Sequence, residues 1–267
     1  MPTLREEFDS NACGSTPANA TSQSHPAVAF AAAVVVAAGR GVRFGDSDKI
    51  LLPLRGRPLL AYCLDALEAA WTVSEVILVV GEHTTRRVTG LVDAGYWSKI
   101  TRVVIGGTRR QDSVANGMNE VDSAREVVVI HDAARPLATP SLFDQTAIRA
   151  RTAGAAITAM PITDTIKRVE ECLIRSTVAR DGLWAAQTPQ AFQRALLARA
   201  LSSPWAKDTT YTDEAALFEA LGIPVEVVPG HVSNLKLTRA EDASCIEAML
   251  AFSDRGSNDI APRVVRG

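Results

Sequence analysis

VVVAAGRGVRFGDSDK, Val34 to Lys49, runs from an apolar segment straight into glycines, two arginines and a lysine. The wider run AVAFAAAVVVAA (Ala27–Ala38) is too short to span a bilayer, which takes about 20 apolar residues. It reads as a buried strand followed by a glycine-bearing loop, which opens an α/β fold and leaves two candidate ligands, a dinucleotide or a nucleoside triphosphate. A dinucleotide loop needs G-x-G-x-x-G and an acidic residue about 20 positions later. Gly39 and Gly41 fit, but Phe44 stands at the third position and Gly45 comes one residue late. The next apolar run, ending before Gly81-Glu82, lies much further on, so the dinucleotide reading fails. The loop still carries charge. Arg40, Arg43 and Lys49 fall on a backbone that can turn several N–H groups toward one anion, although three solvated surface charges would look the same in isolation.

The rest of the chain supports the fold. Short runs rich in Val and Ile recur at 31–36, 75–80, 100–105, 126–131, 154–160 and 224–229. Strands apolar on both faces belong to a mainly parallel sheet covered by helices. Leu60, Cys63, Leu64 and Leu67 recur at helical spacing, with Pro58 suited to the first turn. TRAE (Thr238–Glu241) predicts a capping box before a last helix. Asp164 to Gln190 breaks the alternation with short β-like pieces and mixed charge. It predicts a protruding arm over about 161–186, of the kind that packs against a second subunit.

Bulk properties narrow the function. At 267 residues, 47% hydrophobic and a net charge of −2, the chain can bury a full-sized core and has no overall basic field for nucleic acid or a membrane surface. Cys13, Cys63, Cys172 and Cys245 are scattered without a C-x-x-C pair, which fits reduced thiols in the cytoplasm. Residues 1–27 are polar and lack the apolar core of a signal peptide, so a disordered leader is expected, then one domain over 28–252 and an unstructured tail from Ser253.

Two further motifs sit where ligands bind in open α/β sheets. VVVIHDAARP (Val127–Pro136) places Asp132 and Arg135 just past a strand. Asp132 can hold Mg2+ there, and Arg135 can fork onto a phosphate, or the two can simply brace the turn. GGTRRQDSVANG (Gly106–Gly117) lets backbone approach a base, with Ser113 able to hydrogen-bond it and Asp112 or Ser113 capping the helix. His25, His83 and His231 have no metal-ligand spacing. There is no nucleophile elbow and no H-E-x-x-H.

In order along the chain, AAGRGVR, Lys49, GGTRRQDSV, HDAARP, DTIK, LWAAQTPQ, TDE and NLKLT resemble the 2-C-methyl-D-erythritol 4-phosphate cytidylyltransferases of non-mevalonate isoprenoid synthesis, from about Val34 to Phe252. The resemblance implies a Rossmann-like nucleotidyltransferase fold, a homodimer joined through the β arm, and Mg2+-dependent transfer of CMP from CTP. By position, Arg43 and Lys49 would stabilise the charged phosphorus in the transition state. Ala37, Ala38, Gly39 and Gly41 would hold the triphosphate, and Gly107, Thr108 and Ser113 would read cytosine. Asp132 would lie by Mg2+, and Lys236 by a CTP phosphate. Arg135, Thr165, Arg180 and Thr212 would hold methylerythritol phosphate, Thr165 and Arg180 from an arm that serves the partner's site.

The sequence departs from the family pattern at Asp48, where a proline is usual before the lysine, and at Ala179, where an aspartate is usual. Alternatives are a sister cytidylyltransferase, such as one acting on ribitol 5-phosphate, and a non-catalytic nucleotide-binding regulator. Retention of the charged residues at phosphorus favours an active enzyme.

Overall fold

The computed structural model of the protein describes residues 29–39 and 48–258. The leader, and the loop that carries Gly41 and Arg43, lie outside the described residues.

The chain begins with β1 (Ala31–Ala37), a two-residue hairpin β2 (Pro53–Leu54) and β3 (Arg57–Pro58), then α1 (Leu59–Ala69), β4 (Val73–Val80) and α2 (Thr85–Ala94). It continues through β5 (Ile100–Ile105), α3 (Arg110–Asn119), β6 (Val127–Asp132), α4 (Pro140–Ala153) and β7 (Ala155–Pro161). The arm, β8 (Ile166–Glu170) and β9 (Leu173–Val178), leads into β10 (Trp184–Gln193), α5 (Arg194–Leu201), α6 (Pro204–Asp208) and α7 (Glu214–Ala220). β11 (Glu226–Pro229) and α8 (Glu241–Asn258) complete it, the helical backbone of α8 running past Phe252.

Seven strands form one sheet in the order β11-β7-β10-β6-β1-β4-β5, parallel throughout except for β10. The two-residue period of β1 divides the core. Ala31, Ala33 and Val35 face a layer with Leu60, Leu64, Leu67 and Phe143 of α1 and α4, while Ala32 and Val34 face Val114, Leu197 and Phe218 of α3, α5 and α7. This is a Rossmann-like, three-layer α/β fold.

The sequence expectations need four adjustments. Pro58 lies one position before α1, as its N-cap. The carboxylate closing the start of α8 belongs to Asp242, which accepts from the N–H groups of Thr238 and Arg239 at 2.7 and 2.8 Å, rather than to Glu241. α3 starts at Arg110, so Asp112 sits inside its first turn and accepts from the Arg109 N–H at 3.0 Å. Finally, the expected arm ends inside a sheet strand. β10 begins at Trp184 and enters the sheet between β6 and β7, with a register shift between Ala186 and Gln190 where Pro189 interrupts the ladder.

Candidate active site

From β1 the chain steps outward to β4 and β5, then crosses back to place β6 on the other side of β1. Loops leaving the carboxyl ends of β1 and β6 therefore diverge, and a crevice opens between them. A cavity of about 1110 Å³ occupies that position. Its walls are Ala37–Gly39 after β1, Gly81–His83 after β4, Gly106–Arg110 after β5 and Asp132 with Ala134 after β6, together with Lys49, Ser113 and Lys236. Of the residues expected to bind nucleotide or metal, all that fall among the described residues line it.

One wall is backbone. A Cβ at Gly106 would stand 2.3 Å from the Ala38 Cβ, and one at Gly107 would stand 2.3 Å from the Asp112 Cβ, so two glycines are required for the loop to lie this close. Ser113 Oγ accepts from the Gly107 N–H at 3.0 Å and donates toward the Arg109 carbonyl at 3.3 Å. The hydroxyl thus fixes the loop as well as facing the cavity.

The opposite wall is ionic. Asp132, 8% exposed, has Lys236 Nζ 2.5 Å from Oδ2 and the Arg110 guanidinium 3.2 Å from Oδ1. Burial alone would raise its pKa, but Arg110 and Lys236 outweigh it and hold the carboxyl well below the usual range. Arg110 also forks onto Glu214, which is fully buried, at 2.8 and 2.9 Å. Burial disfavours the Arg110 charge, yet Glu214 and Asp132 more than offset it, so the guanidinium stays charged. Burial also pushes the Glu214 carboxyl up, against the pull of Arg110.

Lys236 reaches this wall because of its neighbours. Leu237 is buried with Leu54, Leu59 and Ile246, and its N–H donates to the Ala134 carbonyl at 2.8 Å. Asn234 donates to the Thr188 carbonyl at 2.9 Å, tying the segment to β10. Thr188 Oγ in turn accepts from the Asp132 N–H at 3.0 Å. Its own proton then goes to His131 Nδ1, 3.1 Å away, which leaves Nε2–H to donate to the Arg135 carbonyl at 3.2 Å. Burial pushes the His131 pKa down to about 4, so the ring is a neutral brace.

Residues 31–251 match the model of the family IspD, 2-C-methyl-D-erythritol 4-phosphate cytidylyltransferase. The chain belongs to this family. A cytidylyltransferase of that name from Alkaliphilus oremlandii is 37% identical over 84% of this chain and 96% of its own length. One from Parasynechococcus marenigrum is 44% identical over 82% and 97%. Among solved structures, 4-diphosphocytidyl-2C-methyl-D-erythritol synthase from Anaerococcus prevotii superposes with a TM-score of 0.73 at 32% identity, over 83% of this chain and 96% of that one. The Thermus thermophilus cytidylyltransferase does so with a TM-score of 0.66 at 29% identity, over 82% and 98%.

The residues that resemblance to the family assigns to the sugar phosphate are not part of the cavity wall. Arg135 donates to the Asn234 carbonyl at 2.7 Å, and its buried Nε has no partner. Arg180 donates to the Thr163 carbonyl at the foot of the arm, where Thr165 is exposed. Thr212 is exposed before α7, whose N-cap is Asp213, accepting from the Ala216 N–H at 3.1 Å.

Sequence reasoning missed three contributors to the site. Arg110 and Glu214 lie inside the motifs GGTRRQDSV and TDE, where the local pattern assigns them no part in the site. His83 lacks metal spacing, yet it lines the cavity and pairs with Asp48 at 3.0 Å.

Proposed function

We propose that this chain transfers CMP from CTP to 2-C-methyl-D-erythritol 4-phosphate, releasing pyrophosphate and forming the cytidyl diphosphate sugar alcohol. One observation carries the reading: a close-packed glycine wall and the cations Lys49 and Lys236 meet across one cavity at the switch point of the sheet. An acceptor phosphate oxygen attacks the α-phosphorus, the new P–O bond forms, and the bond to the β-phosphate oxygen breaks as pyrophosphate leaves. The acceptor is already an anion, so no base has to remove a proton. Catalysis is then positioning and charge stabilisation.

In this reading Arg43 and Lys49 stabilise the charge that grows on the phosphorus oxygens. Ala37 to Gly41 hold the triphosphate through backbone N–H groups. Gly107, Thr108 and Ser113 bind the cytosine edge, and Lys236 bonds a phosphate once it leaves Asp132. The Lys236 side chain is 42% exposed and can swing off that carboxylate.

Among the described residues, no three His, Cys, Asp or Glu side chains gather as a metal cage. A buried, ionised Asp132 beside the cavity instead fits a Mg2+ held mainly by phosphate oxygens and water, as such ions commonly are. When bound, the ion neutralises triphosphate charge.

Arg135, Thr165, Arg180 and Thr212 take the acceptor, the arm pair reaching into a second copy's site. The arm exposes Val169, Leu173 and Ile174, and Trp184 is exposed at the start of β10, an apolar surface suited to a homodimer. No helix among the described residues is long and apolar enough to cross a membrane.

The test is pyrophosphate release from CTP and Mg2+ with either methylerythritol phosphate or ribitol 5-phosphate. Release dependent on methylerythritol phosphate is expected. Preference for the ribitol substrate would overturn the acceptor, and CTP binding without release in either case would mark a regulator.

A further inference from the structure

Lys49 sits on a single 3-10 turn, Lys49–Leu51, held by the Leu51 N–H donating to the Asp48 carbonyl at 2.8 Å. Ile50 points inward and is buried. Leu51 packs against the same core and the Leu52 carbonyl accepts from the Leu59 N–H at 2.9 Å, so the turn is held from its carboxyl side. The setting of Lys49, its first residue, depends also on what holds the chain just before it. The anchor on the amino side is the residue before the lysine. Asp48, its side chain 13% exposed, places Oδ1 3.0 Å from His83 Nε2 and Oδ2 2.5 Å from an Arg87 guanidinium nitrogen.

Those two partners stand on a rigid base. The Gly81 carbonyl accepts from the N–H groups of Thr84 and Thr85 at 3.0 and 3.1 Å and from both hydroxyls at 2.9 and 3.0 Å. Val88 buries the following turn of α2 in the core. The His83 ring folds back over Gly81, where a Cβ would come within 2.6 Å of Cε1.

We propose that Asp48 is a positioning residue, clamped by His83 and Arg87 so that the turn behind it holds Lys49 at the reacting phosphorus. The inference rests on the reading of Lys49 as the charge-stabilising lysine. The clamp acts through geometry more than through stability. The His83 and Arg87 side chains are 48% and 61% exposed, and ion pairs to such exposed partners add little to stability. Misplacing a catalytic group by about 1 Å, however, can cost up to ~100-fold in rate. The clamp also neutralises a carboxylate that would otherwise repel a triphosphate beside it.

Proline supplies a control. Asp48 has φ −68°, inside the range that a proline ring imposes, so Asp48→Pro replaces the side-chain clamp by a stiff backbone. Asp48→Ala and Arg87→Ala are expected to lower kcat by about tenfold or more with a much smaller change in KM for CTP, and with melting temperature unchanged. Asp48→Pro is expected to retain most of kcat, and adding Arg87→Ala to it to change nothing further. Hydrogen exchange at the Leu51 and Leu52 amides, read by mass spectrometry, should speed up in Asp48→Ala and Arg87→Ala but not in Asp48→Pro.

Unchanged kcat in Asp48→Ala overturns the proposal. So does an Arg87→Ala loss that persists in the Asp48→Pro background, since Arg87 would then act on substrate directly. If the wild-type protein releases no pyrophosphate, the functional reading has failed. The exchange pattern still decides the clamp, and slow exchange in Asp48→Ala refutes it.

Discussion

Arg110 grips the buried Glu214 carboxylate with two hydrogen bonds of 2.8 and 2.9 Å, joining the first turn of α3 to the first residue of α7. The same guanidinium reaches Asp132. The nucleotide wall, the proposed metal carboxylate and the loop bearing Thr212 thus share one cation. Arg110→Ala leaves Glu214 buried without a partner and should destabilise the fold by about 3–5 kcal/mol in urea unfolding. Arg110→Met with Glu214→Leu should recover much of that stability. It should not recover turnover, because Asp132 then faces only Lys236.

The two cations assigned to the reacting phosphorus should behave differently. Lys49→Ala, and likewise Arg43→Ala, should keep the wild-type melting temperature and lose about 10²- to 10³-fold in kcat, the usual effect of removing one charge aimed at a developing oxyanion. Near-normal turnover in either variant would remove that residue from the mechanism.

Gly117 tests the packing beneath the nucleotide wall. A Cβ there would lie 2.4 Å from Val34 Cγ1 and 2.7 Å from Val79 Cγ2, both on buried, β-branched side chains with little room to move. Alanine improves helix propensity by about 1 kcal/mol, whereas overpacking a core costs about 1–3 kcal/mol. The steric term should win, and Gly117→Ala should lower the denaturant midpoint.

Cys63 gives a prediction in pH. Its thiol donates to the Ala133 and Arg135 carbonyls at 3.3 and 3.4 Å, and burial pushes its pKa far above the ordinary 9.0. Above about pH 9 the unfolded chain releases this proton while the folded one keeps it. The folded state then binds more protons, so stability falls as pH rises. The wild-type melting temperature should drop more steeply between pH 8.5 and 10, roughly the window set by that pKa, than that of Cys63→Ala. In native protein near neutral pH, iodoacetamide should label the exposed Cys172 and Cys245 and leave Cys63 unmodified, as peptide mapping would show.

Much of the fold was legible because its strands are apolar on both faces. Val34 to Val36, Ile77 to Val80 and Val127 to Ile130 need no partner information to be read as buried parallel strands. β10 escaped because its centre, Gln187 to Gln190, is polar and interrupted by proline. Those polar groups are committed to tertiary partners, as when Thr188 bonds His131 and Asp132, and local pattern carries no trace of such bonds. The cavity residues were legible for the opposite reason. Glycines, a strand-end aspartate and clustered cations keep their chemistry wherever the chain places them. Arg110 was hidden by its pairing. Next to Arg109 it looks like one more surface charge, and only the fold shows that Glu214 lies beside it. Asp48 stood out as a departure from the family pattern, and the partners that give it a use come from α2 and the turn before it.

The bond between Lys236 and Asp132 spans 104 residues, and so does the bond from Arg110 to Glu214. Contacts this distant in sequence close long loops, and that entropy cost must be met before they form. On the proposed roles of Asp132 and Lys236, the chemistry is therefore withheld until both have been made and joined. With Lys236 acting on phosphate as proposed, a polypeptide still emerging from the ribosome can carry a finished β1–α1–β4 unit and remain inert toward nucleotide transfer until the segment after β11 has docked. Turnover would then report on completed folding.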